Sequence, residues 1–456
     1  MNPRMRQLLE GPITATLVRL AAPNVLVMFV QASIGLVETW FIGRLGTDAL
    51  AGVAMVFPVL MLMQMMSAGA MGGGISSAIA RALGARRTTD ADALALHAGV
   101  IALGFGLVFM AAVLGGGRWL YTSLGGEGAS LTAALAYSDV VFGGAVLVWL
   151  FNSLANVIRG TGNMILPAIV TCVGAVLLIP LSPCLIFGWG PFPQLGIAGG
   201  AWAVIVYYAL GTLAFIAYLR SGRSALHPSL HGAGFRWPLF REILRVGAVA
   251  ALITVQTNLT IAFSTGFVGS FGAAAVSGYG VGSRLEYLLI PLVFGLGGPL
   301  VAMVGTNVGA GQHERALRAA WIGGVLAAAI TGSIGIAAAL LPRAWLGLFS
   351  ADPVALEVGT RYLQTVGPAY GLFGLGMALY FSSQGAGRLR WPLIANFVRL
   401  LIAAGGGWLV LQSGGSLDGV FLAQAAGLAA FGAIVAGAVA LGAWERSSTT
   451  RALRVA

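Results

Sequence analysis

The sequence predicts an all-α polytopic membrane protein with twelve transmembrane helices, arranged as two six-helix repeats around a central cleft. Three observations predict it. The 456-residue chain is 58% hydrophobic and only 9% charged, whereas average soluble domains carry about 25% charged residues. A dozen long apolar runs each approach the roughly 20 residues that cross a bilayer as a helix. Landmarks in the first half of the chain return in the second at a nearly constant distance.

Taken in order, hydrophobicity places helices at residues 13–40, 50–75, 94–114, 134–158, 165–187, 196–219, 243–267, 275–304, 317–340, 358–384, 392–411 and 418–443. The opening MNPRMRQLLEGP lacks the basic, apolar, small-residue order of a cleavable signal, so the first helix is expected to be retained. Helix two is loaded with methionine, and its Met61 and Met65 share a face; flexible thioethers suit a surface that accepts several shapes, although such a stripe also packs cores. Helix five holds both cysteines, Cys172 and Cys184, about 18 Å apart along the axis, which excludes a disulfide framework. The 68 glycines are spread through the spans, where small residues let helices approach closely. Pro23, Pro58, Pro180, Pro183, Pro291, Pro299 and Pro368 supply bends.

All the basic residues are arginine. With the N-terminus inside, eighteen arginines fall on the inner side and four, Arg44, Arg118, Arg343 and Arg361, on the outer. That imbalance puts both termini in the cytoplasm of a cell inner or plasma membrane protein. Arg19, Arg284 and Arg399 fall within helices.

The longest polar connection, Ser221 to Arg241, divides the chain. The expected organisation is an N-terminal lobe at 1–220, a cytoplasmic linker at 221–242 and a C-terminal lobe at 243–456. Leu45-Gly46 recurs as Phe271-Gly272, and Leu50-Ala51-Gly52 recurs as Val276-Ser277-Gly278 at the same offset. Gly84-Ala85 recurs as Gly309-Ala310, and Gly160-Thr161-Gly162 with Pro167 as Gly385-Ala386-Gly387 with Pro392, both at an offset shorter by a single position. An even number of helices per copy relates the lobes by an axis along the membrane normal, a design suited to alternating access.

Composition also excludes. The net charge of +11 is scattered over short loops with no basic block, so nucleic acid is not a partner. His97, His227, His231 and His313 form no metal-binding spacing, no catalytic set appears, and a chain without lysine has no P-loop. The chain is read as neither an enzyme nor a holder of cofactor or metal.

Most acidic residues belong to loops or helix ends; Glu38, Asp139 and Glu286 do not. Asp139, near a helix mouth, reads as solvated. Glu286 lies near the middle of helix eight, where a charge costs at least about 3 kcal/mol and usually faces a cavity. Low polarity disfavours a charged carboxyl, so such a group can load and release a proton. The competing reading pairs Glu286 with Arg284, or with Arg399 of helix eleven. Polar residues at mid-helix, Gln31, Asn24, Asn152, Asn156, Gln256 and Asn258, add candidate ligands or interhelical bonds.

The stretches Ala21-Ala22-Pro23-Asn24, VETWFIGRLG, Gly84-Ala85, RGTGN from Arg159 and TNVGAG from Thr306 resemble the multidrug and toxic compound extrusion (MATE) family over nearly the whole length. The resemblance implies two six-helix lobes and export of cationic or amphipathic compounds in exchange for protons or sodium. It makes Glu38 the counterpart of the family's helix-one acid. The family's helix-five Asn and Asp are replaced here by Leu178 and Ser182, and the further carboxylates of a sodium-coupled group in helices seven and ten are missing, which favours protons.

The expected function is therefore export of small organic cations or amphipaths by a monomer set in membrane lipid, with Glu286 as principal coupling carboxylate and Glu38 as second. Arg284, Gln256, Asn258, Gln31, Asn152, Met61, Met65 and Arg399 support them or line the cleft. The alternatives are a flippase or exporter of a lipid-linked or anionic substrate and, less favoured, an intramembrane enzyme or scaffold.

Overall fold

Among the described residues of the computed structural model, ten helices are long and apolar enough to cross a membrane. The structure describes residues 3–229 and 234–444, without the side chain of Tyr287; Arg446, Arg451, Arg454 and His231 lie outside the described residues. The first half contains α1 (Pro3–Glu10), α2 (Ile13–Gly43), α3 (Thr47–Gln64), a π-helical turn (Met65–Met71), α4 (Gly72–Gly84), α5 (Thr88–Ser123), α6 (Gly128–Gly143), α7 (Ala145–Gly160), α8 (Ile165–Phe187) and α9 (Ile197–Arg220). The second contains α10 (Trp237–Gly269), α11 (Ala273–Gly309), α12 (His313–Leu340), α13 (Pro342–Leu346), α14 (Pro353–Val366), a 3-10 turn (Gly367–Ala369), α15 (Tyr370–Gly385), α16 (Arg390–Gln412) and α17 (Leu417–Ala440). Bent by 48° where they meet, α6 and α7 make an eleventh span; α14 and α15, joined by the 3-10 turn, complete the twelve-helix, two-repeat fold.

Several helices run past their expected ends. The third span covers Thr88–Ser123 rather than 94–114, and the seventh begins at Trp237 rather than 243. Hydropathy marks the stretch that lipid selects, while backbone hydrogen bonding carries the helix on into polar residues. The amphipathic α1 is too short to register as a span.

The duplicated landmarks adopt the same backbone conformations. Gly46 and Gly272 have φ of 116° and 100°, values only glycine adopts at ease, and each carbonyl accepts from the amide four residues on at 3.2 Å. After α4 the amide of Arg87 donates to Ala82 at 2.8 Å; after α11 that of Gln312 donates to Asn307 at 2.9 Å. Pairings repeat as well: α8 with α9 and α16 with α17, α5 with α7 and α12 with α15.

The chain forms two compact units, one made of Ala22–Gly247 with the residues before Gln7, the other of Gln7–Ala21 with Ala248 onward. The core of the first holds Trp149, Phe142, Phe151 and Tyr121; that of the second holds Tyr362, Tyr370 and Phe421. Glycine sets the spacing of helices within the second unit. A Cβ on Gly335 would sit 2.2 Å from the Gly367 carbonyl oxygen, a small-residue contact of the kind that drives helix association in lipid.

Each unit also fastens a lead-in segment with polar bonds. In the first, the Arg236 guanidinium meets Asp90 at 2.6 Å and the Arg236 amide donates to His97 Nε2 at 3.0 Å. In the second, Asn307 donates to the Leu8 carbonyl at 3.1 Å, and Arg315 donates to the carbonyls of Leu8 and Gly11. Asp90 and Arg315 stand one repeat length apart, as do Gly11 and Arg236, so corresponding positions hold corresponding lead-ins with different chemistry.

Candidate functional site: two tyrosine-held carboxylates

Within the first unit a cavity of about 330 Å³ is lined by Gln31, Glu38, Met61, Gln64, Tyr137 and Tyr208, among others. Glu38 projects from α2, and its Oε1 accepts a 3.0 Å hydrogen bond from the Tyr137 hydroxyl of α6. Gly200 of α9 leaves room for it, since a Cβ there would lie 3.2 Å from that oxygen. Beside it, Gln64 donates to the Tyr208 hydroxyl and accepts from Asn152 Nδ2 at 3.0 Å.

Gln64 stands where α3 widens into the π-turn, a feature frequent at functional sites. The cause is on α7. Asn152 also donates to Ser67 Oγ at 2.9 Å, and Asn156, one turn further, donates to the Ala68 carbonyl at 3.2 Å. A Cβ on Gly72 would lie 2.2 Å from Asn156 Nδ2, so glycine admits that amide against the widened backbone. Asn152 and Asn156 therefore brace the cavity wall, and Met65 lies in the π-turn itself.

In the second unit Glu286 projects from α11. Its Oε1 accepts from the Tyr362 hydroxyl at 2.8 Å and lies 3.3 Å from that of Tyr370. Tyr362 is fully buried, with Tyr279 and Phe421 at ring-centroid distances of 5.2 Å. Arg284, two residues before Glu286, is exposed, its guanidinium 5.3 Å from the Phe349 ring centre. Arg399 is buried, 5.4 Å from the Phe373 ring centre. Among the described residues no ion pair within 4.0 Å involves Glu286. Gln256 accepts from Asn396 at 3.2 Å, while Asn258 is exposed and bonds to its own helix at Thr254.

The two carboxylates thus share an arrangement. Tyr137 and Tyr362 are separated by the same repeat length as Gly84 and Gly309, so one repeat position supplies the hydroxyl in each unit, although the carboxylates come from non-equivalent helices. Sequence reasoning missed both tyrosines and Gln64. The repeat offset was the available signal for the pair, and Gln64 is the one polar residue among the methionines of α3 beyond its first turn. A carboxylate held on one oxygen by one or two hydroxyls keeps lone pairs free for a proton or a cationic ligand. Among the described residues no three of His, Cys, Asp or Glu come together to hold a metal ion.

Comparison with known proteins agrees with this architecture. The family model MatE matches residues 23–184 and again 250–409, one match in each half. A FAD transporter of Shewanella oneidensis is 30% identical over 401 residues, 87% of each chain. A probable multidrug resistance protein NorM of Thermotoga maritima is 25% identical over 397 residues, 86% of this chain and 84% of that one. The outward-facing structure of a multidrug resistance MATE family transporter superposes with a TM-score of 0.86 at 24% identity, over 96% of this chain and 98% of that one, a likeness of fold. Twelve membrane helices in two matching halves, each fitted by the same model, place the protein in the MatE family of multi-pass membrane transporters, not among enzymes.

Proposed function

We propose that the protein exports amphipathic organic cations across the cell inner or plasma membrane in exchange for protons, with both termini cytoplasmic. Relatives of the chain are named for multidrug resistance and multidrug export. One observation carries the proposal: each unit holds a membrane-embedded carboxylate against a tyrosine hydroxyl from the same repeat position. Glu286 acts as the principal coupling group and Glu38 as the second. Protonating a carboxylate removes the charge that would hold a cation, so proton entry and cation release are coupled. The test is dye-cation transport in everted vesicles. Glu286→Gln should abolish transport driven by a pH gradient while membrane expression persists. Full activity of that variant, or transport that follows an imposed sodium gradient at fixed pH, would overturn the proposal.

A second reading has its own support. The relative named a FAD transporter handles an anionic, aromatic molecule by its name. Here Arg399 and Arg284 each lie over an aromatic ring, a pairing that can serve an anionic aromatic group. Replacing both arginines by Gln and comparing flavin-dinucleotide export with dye-cation efflux separates the readings; selective loss of flavin export would favour the second.

A further inference from the structure

The Glu38 cavity has a neighbour in the same unit, a second space of about 330 Å³ between α8 and α9. Its rim is open and aliphatic: Ile169, Val173 and Leu177 on α8 and Leu210 on α9 are each at least half exposed. In a membrane-spanning chain such a face meets acyl chains, because it offers nothing for water to hydrate. Two residues, Leu178 and Tyr207, line both spaces. They form the partition.

Glycine shapes this wall. A Cβ on Gly174 would lie 2.4 Å from the Tyr207 ring, so its absence seats Tyr207 directly on α8, and one on Gly211 would lie 2.3 Å from Phe151, so its absence lets that α7 ring pack against α9. The Tyr208 ring lies 4.9 Å from that of Tyr207, and its hydroxyl meets Gln64 inside the Glu38 cavity. Among the described residues that line the two spaces, Glu38 is the one charged group. A cation on this route crosses aromatic faces, which attract it by about 0.5–2 kcal/mol, and ends at a carboxylate.

We propose that the groove between α8 and α9 is a lateral entrance by which amphipathic cations dissolved in the bilayer reach the Glu38 cavity, passing Leu178 and Tyr207. This rests on the cation-export reading and adds a route to it. It also explains why an aliphatic groove sits behind a cavity that holds an acid: the groove selects for solubility in lipid, and the cavity selects for charge.

The test uses the whole protein in proteoliposomes with two cations, tetraphenylphosphonium, which partitions into bilayers, and tetraethylammonium, which stays in water. Val173→Trp and Leu210→Trp fill the groove without touching the Glu38 cavity. Each should slow tetraphenylphosphonium transport about tenfold, equivalent to about 1.4 kcal/mol, and leave tetraethylammonium transport close to wild type. Equal losses for both cations, or no loss for either, would overturn the entrance. A second measurement needs no transport. A photoactivatable tetraphenylphosphonium should label residues 169–181 and 203–214 of the wild-type protein in nanodiscs, with plain tetraphenylphosphonium competing saturably. Labelling without competition would mean that acyl chains alone occupy the groove, and the entrance fails. If the wild-type protein exports neither cation, the export reading fails on its own account while the labelling still decides the groove.

Discussion

Tyr362→Phe isolates the hydrogen bond that holds Glu286 in the second unit. The substitution keeps the ring against Tyr279 and Phe421 and deletes only the hydroxyl, which lies 2.8 Å from Glu286 Oε1. Hydrogen bonds to charged groups contribute about 1.5–3 kcal/mol. The lower figure applies here, because the Tyr370 hydroxyl at 3.3 Å can move closer and replace part of the loss. Losing the bond should therefore lower stability by about 1.5 kcal/mol, read as a lower melting temperature of the purified protein in detergent. Tyr370→Phe should lower it less, since its longer contact with Glu286 lies outside the usual O–H···O range. Tyr137→Phe should act in the same direction through Glu38, whose bond measures 3.0 Å. A melting temperature for Tyr362→Phe that equals the wild-type value would refute the reasoning.

Other outcomes follow from packing and from the lead-in contacts. Gly335→Ala sets a Cβ 2.2 Å from a backbone oxygen and should cost about 1–3 kcal/mol, read as a lower melting temperature in detergent; Gly405→Ala, with nothing within 4 Å, should leave it unchanged. Gly46→Ala and Gly272→Ala force a side chain into the same unusual φ and should each cost about 1–3 kcal/mol, with matching losses in thermal unfolding because the two turns are copies. Arg315→Ala removes the donor that reaches Leu8 and Gly11, so protease should cut near residues 3–11 faster. Asp90→Ala should have a smaller effect on the other lead-in, about 0.2–1 kcal/mol, because its ion pair with Arg236 is partly exposed.

Much of the fold was legible because its determinants are local in sequence. An apolar run specifies a span wherever it falls, and a duplicated Gly-containing turn keeps its offset whatever surrounds it. Glu286 and Glu38 stood out for the same reason, as acids inside apolar runs. Their partners were not legible in that way. Arg284 is near Glu286 in sequence, yet residues two apart on a helix point to different sides, and its guanidinium lies over Phe349 instead. The donors, Tyr362 and Tyr370, come from 76 and 84 residues further along.

By itself the sequence determined a membrane-embedded, duplicated, twelve-helix chain with two isolated acids, since hydropathy and repeat spacing survive without knowledge of contacts. Only the tertiary structure decided which hydroxyl meets each acid, that asparagines of α7 brace a π-turn beside one of them, and that the cavity there shares a wall with an exposed aliphatic groove. Those facts depend on which helix faces pack together, and packing joins residues that no pattern along the chain connects.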